Sequence, residues 1–437
     1  MTRFTAGLGV VRGVLDSPRF THAVTLAAIG IGFLADTVQR LIGWPGLIGA
    51  LAVLCAVAAA SFVSRRAEIG WQAVLPVSLL IFIGWAGLSL LWSSYRWATL
   101  GGLAYLLAFS VLGLYIALFR DTIQIVRSFG DTLRFVLALS ISVEILSGVL
   151  IDMPLRFLAV EGKLAGLGPI QGLLATRNQL ALVSIIAIVT FAIEYLTRSV
   201  SRGLVVGSLV LGAVCLLLSR SPVGLGVLIA VGVAALALYL IRRVPAARRA
   251  LWQWVLLAIA ALLAVVVWVL RSPVVTLLSA NSELTYRLGL WRGLWNLIAI
   301  NPLQGWGWLG QWRPEMAPFT FFASAREPTS GVNAYIDVWF QLGLAGVFIF
   351  VVLAGLAFVR SWILAGRQRS IVFAWPALVL VVLIVSSLAE SSILVEYGWL
   401  TLVVCCVKAA KELSWRRAFR ADDTDESAAG ETGTITR

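Results

Sequence analysis

Three arginines, Arg177 in LLATRNQLALV, Arg220 in LLLSRSPVG and Arg287 in LTYRLGLWRGLW, stand at the ends of long apolar runs instead of in loop middles. A guanidinium is planar, stays charged at any physiological pH and grips phosphate oxygens two at a time, so three at one membrane face form a clamp for a diphosphate. A single arginine at a bilayer edge needs no such role, because its long stem can carry the charge to water. A second polar feature, in SGVNAYIDVWFQLGLAG, sets Asn333, Asp337 and Gln341 four residues apart at the mouth of an apolar run. An ionisable side chain entering a membrane span is costly and usually faces a cavity or a partner. The plainer alternative makes Asn333 a helix cap and Asp337 an acid favoured by the helix dipole in the first turns.

The elements that must position these residues are apolar. Of 437 residues, 60% are hydrophobic and only 13% are charged, and the mean hydropathy is +0.95. A soluble protein would have to bury nearly every helix on all sides. The fold class expected is therefore all-α, a polytopic integral membrane protein of about twelve spans. They fall near residues 22–35, 47–63, 72–92, 99–118, 135–151, 180–196, 204–218, 223–241, 251–270, 336–359, 371–387 and 398–409. With the amino terminus in the cytoplasm, most of the 34 Lys+Arg residues fall on the cytoplasmic side, as the positive-inside rule requires. Both termini are placed there. The domains expected are spans 1–9 over residues 1–270, an extracytoplasmic loop over 271–335, spans 10–12 over 336–410, and a cytoplasmic tail over 411–437. The tail after Arg420 is acidic and lacks any large apolar residue, so it cannot bury enough surface to fold.

The formal net charge of +13 is scattered between spans instead of forming one basic face, which argues against nucleic acid as a partner. Cys55, Cys215, Cys405 and Cys406 lie in apolar runs without a histidine or acid at ligand spacing, so no metal is expected. The single histidine, His22, opens the first apolar run.

Within the large loop, Leu284, Leu288, Trp291, Trp295 and Ile298 share one face of a helix that suits the membrane surface, with Arg287 and Arg292 at phosphate level. Next, NPLQGWGWLGQW alternates Gly305, Gly307 and Gly310 with Trp306, Trp308 and Trp312. Glycine permits tight turns, while indole rings either stack on sugar faces or anchor at the headgroup layer. Both readings stand at this point.

In order along the chain, LSLLWSSYRWATL, GLLATRNQLA, LLLSRSPVG, TYRLGLWRGLWNLIAINPLQGWGWLG and VNAYIDVWFQLGLAG resemble the O-antigen ligase and O-antigen polymerase superfamily, which includes bacterial exopolysaccharide polymerases. The resemblance implies a metal-independent, cofactor-free glycosyltransferase of the cytoplasmic membrane. Such an enzyme takes a glycan from an undecaprenyl-diphosphate-linked donor at the outer face and passes it to a glycan, lipid or protein acceptor. It implies that Arg220 and Arg287 bind the diphosphate; Arg177 joins them as the third cation of the clamp read from the sequence, and Trp306, Trp308 and Trp291 are the candidates to face the glycan. Members commonly carry a His-Asn pair at the end of the large loop; here it reads Val332-Asn333.

Displacing a polyprenyl diphosphate from an anomeric carbon needs stabilised leaving-group charge and a route for the acceptor's proton. Without the histidine, Asp337 is the leading candidate for the proton, with Glu327 and Glu315 behind it and Asn333 beside it. Glu390, Ser391 and Glu396 in the last outward loop can line the same cavity. A lipid-linked oligosaccharide flippase is the alternative from another class, although the halves show no duplication. A non-catalytic partner of a glycan-export machine is the third.

Overall fold

A computed structural model of the chain describes residues 13, 15–66, 76–166, 168–245, 281–313, 315–316, 319–322 and 328–413. The expected span at 251–270, the tail beyond 413 and Glu327 lie outside the described residues.

The helices are α1 (Pro18–Ser64), α2 (Val77–Leu88), α3 (Arg96–Phe119), α4 (Thr122–Ile145), α5 (Arg177–Thr197), α6 (Arg202–Ser219), α7 (Pro222–Arg243), α8 (Asn281–Ile298), α9 (Ala334–Arg367), α10 (Ala374–Ser386) and α11 (Glu396–Glu412). Among the described residues the only β pairing is an isolated bridge between Leu155 and Val160. Among the described residues seven helices are long and apolar enough to cross a membrane, and two shorter apolar helices, Val77–Leu91 and Ile371–Ser386, accompany them. This is the pattern of a polytopic membrane protein, but the expected twelve spans do not map onto it one for one.

The first difference is α1. At 1.5 Å per residue, a straight helix of its 47 residues would run about 70 Å, more than twice a hydrocarbon core of about 30 Å. Gly43, at φ 72 and ψ 174, breaks it, and Pro45 follows inside the helix. The chain then returns to its start, where Ser64 Oγ donates to Asp16 Oδ1 at 2.9 Å. The runs expected at 22–35 and 47–63 are thus two arms of one hairpin.

The second is α9, broken at Gly343 with φ 70 and ψ −173. In a straight helix Tyr335 and Phe350 would be about 22 Å apart, yet their ring centroids lie 5.9 Å apart. Residues 334–342 therefore form a short arm folded back beside the long one. Breaking a helix frees carbonyls that lipid cannot satisfy. Here Trp306 N donates to Phe340 O at 3.1 Å, Gly307 N to Gln341 O at 2.9 Å, and Trp85 Nε1 to Leu342 O at 3.0 Å. The expectation of one continuous span over 336–359 is corrected. The stripe of Asn333, Asp337 and Gln341 belongs to the short arm and its cap.

Most of α11 is buried against its neighbours, and it packs on α1, α3 and α9. Phe82 forms the aromatic centre of the core, touching Trp308, Phe350 and Trp399.

Candidate functional site

The segment before Arg177 is fixed from below by a buried carboxylate. Glu144 Oε1 on α4 accepts from Gln171 N at 3.2 Å and Gly172 N at 2.9 Å. Leu173 is held at both backbone atoms, its N–H by Ser140 Oγ at 3.3 Å and its carbonyl by Thr37 Oγ1 at 2.5 Å. Thr176 then caps α5, its side chain accepting from Gln179 N at 3.2 Å. Arg177 and Asn178 are consequently the first two residues of a well-anchored helix.

The α6–α7 corner supplies the next pair. Arg220 closes α6 in the left-handed region at φ 46, a conformation that costs an L-residue energy and recurs at functional sites. Ser221 caps α7, its hydroxyl accepting from Gly224 N at 3.0 Å, with Pro222 pre-set for the first turn.

A chain of side-chain hydrogen bonds joins these corners to α8. Ser221 Oγ donates to Asn178 Oδ1 at 2.7 Å. Asn178 Nδ2 donates to Glu390 Oε1 at 2.7 Å, and Arg287 Nη2 reaches the same oxygen at 3.2 Å. Each arginine of the expected clamp is therefore a member of this chain or the sequence neighbour of one.

Their states differ. Of the apolar face expected to lie outward, Leu288 and Trp295 are 42% and 44% exposed but Ile298 is buried, and Arg287 is only 5% exposed. Arg287 shares the inward face of α8 with Leu290, Leu294 and Ile298, which pack with Trp312, Phe319 and Phe340. Its Nη1 donates to Val332 O at 3.2 Å and to Ala389 O. Its Nη2 also pairs with Glu283 Oε1 at 3.4 Å. By contrast, Arg220 is exposed and Arg177 half-buried. Among the described residues no hydrogen bond or ion pair holds the guanidinium of either.

Asp337 is fully buried. Its Oδ1 accepts from Trp312 Nε1 at 2.7 Å and Gln341 Nε2 at 3.3 Å, and its Oδ2 from Gly331 N at 3.0 Å. The acid ties the large loop to the short arm. Gln341 repeats the device, its Oε1 accepting from Leu309 N at 2.8 Å and Gly310 N at 2.9 Å. Asn333 caps α9, accepting from Tyr335 N and Ile336 N at 3.0 and 3.1 Å, while its amide donates to Leu388 O at 3.0 Å. Glu315 is exposed.

The tryptophans divide as well. The Trp291 and Trp306 indoles donate to Gly331 O at 2.9 Å and Leu297 O at 3.1 Å. Trp308 is fully buried, and among the described residues its Nε1 has no hydrogen-bond partner. It floors a small cleft with Tyr105, Phe109, Glu396 and Trp399. Val332, where the resemblance expects histidine, sits at φ 50. A β-branched residue rarely adopts that conformation, and here it turns the carbonyl toward Arg287.

Glu390 is the acid that both Asn178 and Arg287 meet, while Glu283 pairs with Arg287 alone among the described members of the chain. Burial pushes its carboxyl above the usual carboxylate range, the largest influence, while Arg287 and Asn178 pull it down. Sequence reading placed Glu390 near the cavity, yet gave no role to Asn178 or Ser221. The available signal was their position, each directly after one of the arginines.

Residues 207–351 match the family model for O-antigen ligase, which supports assigning the chain to the O-antigen ligase and polymerase family. The matched stretch contains Arg220, Arg287, Asn333 and Asp337, and leaves out Arg177 and Glu390. A search of the curated proteins finds no match.

Proposed function

From an O-antigen ligase domain at residues 207–351, we propose that the protein transfers a glycan from an undecaprenyl-diphosphate-linked donor to an acceptor hydroxyl, at the outer face of the bacterial cytoplasmic membrane. The observation that carries this reading is the placement of Arg177 and Arg220. They flank Asn178 and Ser221, whose side chains are 2.7 Å apart, and among the described residues nothing neutralises either guanidinium. Two unpaired cations at neighbouring helix ends suit a diphosphate, whose charge grows as the bond to the anomeric carbon breaks. Charge stabilisation by pre-placed cations is often the largest catalytic contribution.

Arg287 acts differently in this scheme. Its donors are committed to two carbonyls and two carboxylates, so it fixes the loops around the diphosphate and contributes field instead of a direct grip. Asp337 and Asn333 hold the Gly331–Asn333 turn in place. In this reading all three tryptophans shape the site from within: Trp308 is fully buried beside the small cleft, and Trp291 and Trp306 hold the loop by their indole hydrogen bonds.

The test is reconstitution with an undecaprenyl-diphosphate oligosaccharide and candidate acceptors, following free undecaprenyl diphosphate. Release coupled to acceptor glycosylation supports the reading. A glycan that crosses the bilayer still attached to its carrier overturns it in favour of a flippase.

A further inference from the structure

The arginines attend to the leaving group; the acceptor's proton needs a base. Asp337 is sealed, with donors on both oxygens and no exposure. Glu390 is placed otherwise. It sits in the turn between α10 and α11, its N–H bonded to Ser386 O at 2.8 Å, and its side chain keeps 11% of its surface open. Oε1 accepts from both Asn178 and Arg287. Among the described residues Oε2 takes none.

We infer that Glu390 is the general base for the transfer, accepting the proton of the incoming hydroxyl at Oε2; this rests on the glycan-transfer reading above. In the step, the acceptor oxygen bonds to the anomeric carbon as its O–H bond gives the proton to Oε2. The bond from that carbon to the diphosphate breaks, and the electron pair leaves with the diphosphate, opposite Arg177 and Arg220. Asn178 couples the two halves, because the amide that follows Arg177 orients the carboxylate. No other oxidant, reductant or metal is needed for the balance.

The charged and titratable groups facing Glu390 are Arg287 and Glu283 from α8 and Tyr397 from α11. Burial raises the carboxyl above its usual range and Arg287 opposes this, and a carboxylate with a raised pKa is the stronger base once deprotonated. The base acts only when deprotonated. Transfer therefore rises with pH through the Glu390 titration and falls below it.

The test compares wild type, Glu390→Gln and Glu390→Asp in proteoliposomes, reading transfer rate, affinity for the undecaprenyl-diphosphate donor and the pH profile. Glutamine preserves shape and an oxygen for Asn178 and Arg287 but cannot take a proton. The expected result is a fall of about 100-fold or more in rate for Glu390→Gln, donor affinity within about threefold, and loss of the acid limb. Glu390→Asp should retain part of the rate. A fluorinated acceptor with a more acidic hydroxyl should narrow the Glu390→Gln deficit, which a purely structural role would not do. Wild-type rate in Glu390→Gln, or donor affinity falling in step with rate, overturns the base. An inactive wild type sinks the transfer reading itself, so the two failures are told apart.

Discussion

Arg287 Nη2 lies 3.2 Å from Glu390 Oε1, and Nη1 of the same guanidinium lies 3.2 Å from the Val332 carbonyl. One buried cation thereby fastens α8, the end of the large loop and the α10–α11 turn at a single point. The result is a division of labour among arginines: Arg287 organises, while Arg177 and Arg220 are left to meet an anion.

That division separates the arginine variants. Arg220→Ala and Arg177→Ala each remove a charge-assisted grip on phosphate, worth about 1.5–3 kcal/mol, so each should weaken donor binding by roughly 10- to 100-fold with little change in thermal stability. Arg287→Ala strands buried Glu390 and two carbonyls, which costs about 3–5 kcal/mol. Its first symptom should be a lowered melting temperature in detergent. Equal stability losses in all the arginine variants would contradict the division.

Asp337→Ala should destabilise by at least about 2 kcal/mol, because buried Trp312 and Gly331 donors lose their acceptor. Asp337→Asn keeps one acceptor oxygen and should fall between Ala and wild type. Transfer by the folded fraction should stay within a few-fold of wild type in Asp337→Asn. A drop of about 100-fold at unchanged melting temperature would return the base role to Asp337.

Gly343→Ala should fail at the hairpin of α9. A Cβ there would stand 2.1 Å from Leu303 O, and the φ of 70 costs an L-residue about 1–2 kcal/mol before any clash. Loss of folded protein on size-exclusion chromatography is the expected readout; wild-type yield and melting temperature would show that the short arm does not fold back.

At the α4–α5 packing, Arg134 pairs with fully buried Glu194 and also reaches Asp131 Oδ1 at 2.9 Å and Ser208 Oγ at 2.8 Å. Glu194→Ala should cost about 3–5 kcal/mol, while Glu194→Leu combined with Arg134→Met should be close to neutral, since the uncompensated charge and not the lost pair is the penalty. Thermal unfolding of the single and double variants decides it. A double variant as unstable as Glu194→Ala would contradict the argument.

Apolar length was readable in the sequence because lipid forces every spanning backbone into long apolar helices. The breaks at Gly43 and Gly343 were not readable, since a glycine inside an apolar run looks the same whether it continues the helix or turns it back; only the positive φ and the donors gathered around the freed carbonyls separate the cases. The arginines were legible as charges at run ends. That Arg287 faces inward was hidden, because the stripe of Leu288, Trp291 and Trp295 is the more conspicuous apolar face of α8 and the inner partners, Trp312, Phe319 and Phe340, lie many residues downstream. Glu390 lies more than two hundred residues from Asn178, a pairing that no local spacing announces.

The most direct test of the clamp is titration of proteoliposome-bound wild type and the Arg177→Ala/Arg220→Ala double variant with undecaprenyl-diphosphate oligosaccharide, coupled to release of free undecaprenyl diphosphate in the presence of acceptor. Wild type should bind and release carrier one-for-one with glycan transferred, and the double variant, still folded, should do neither at the same donor concentration. Unchanged release by a double variant lacking both guanidiniums would contradict the proposal that these two arginines hold the leaving group.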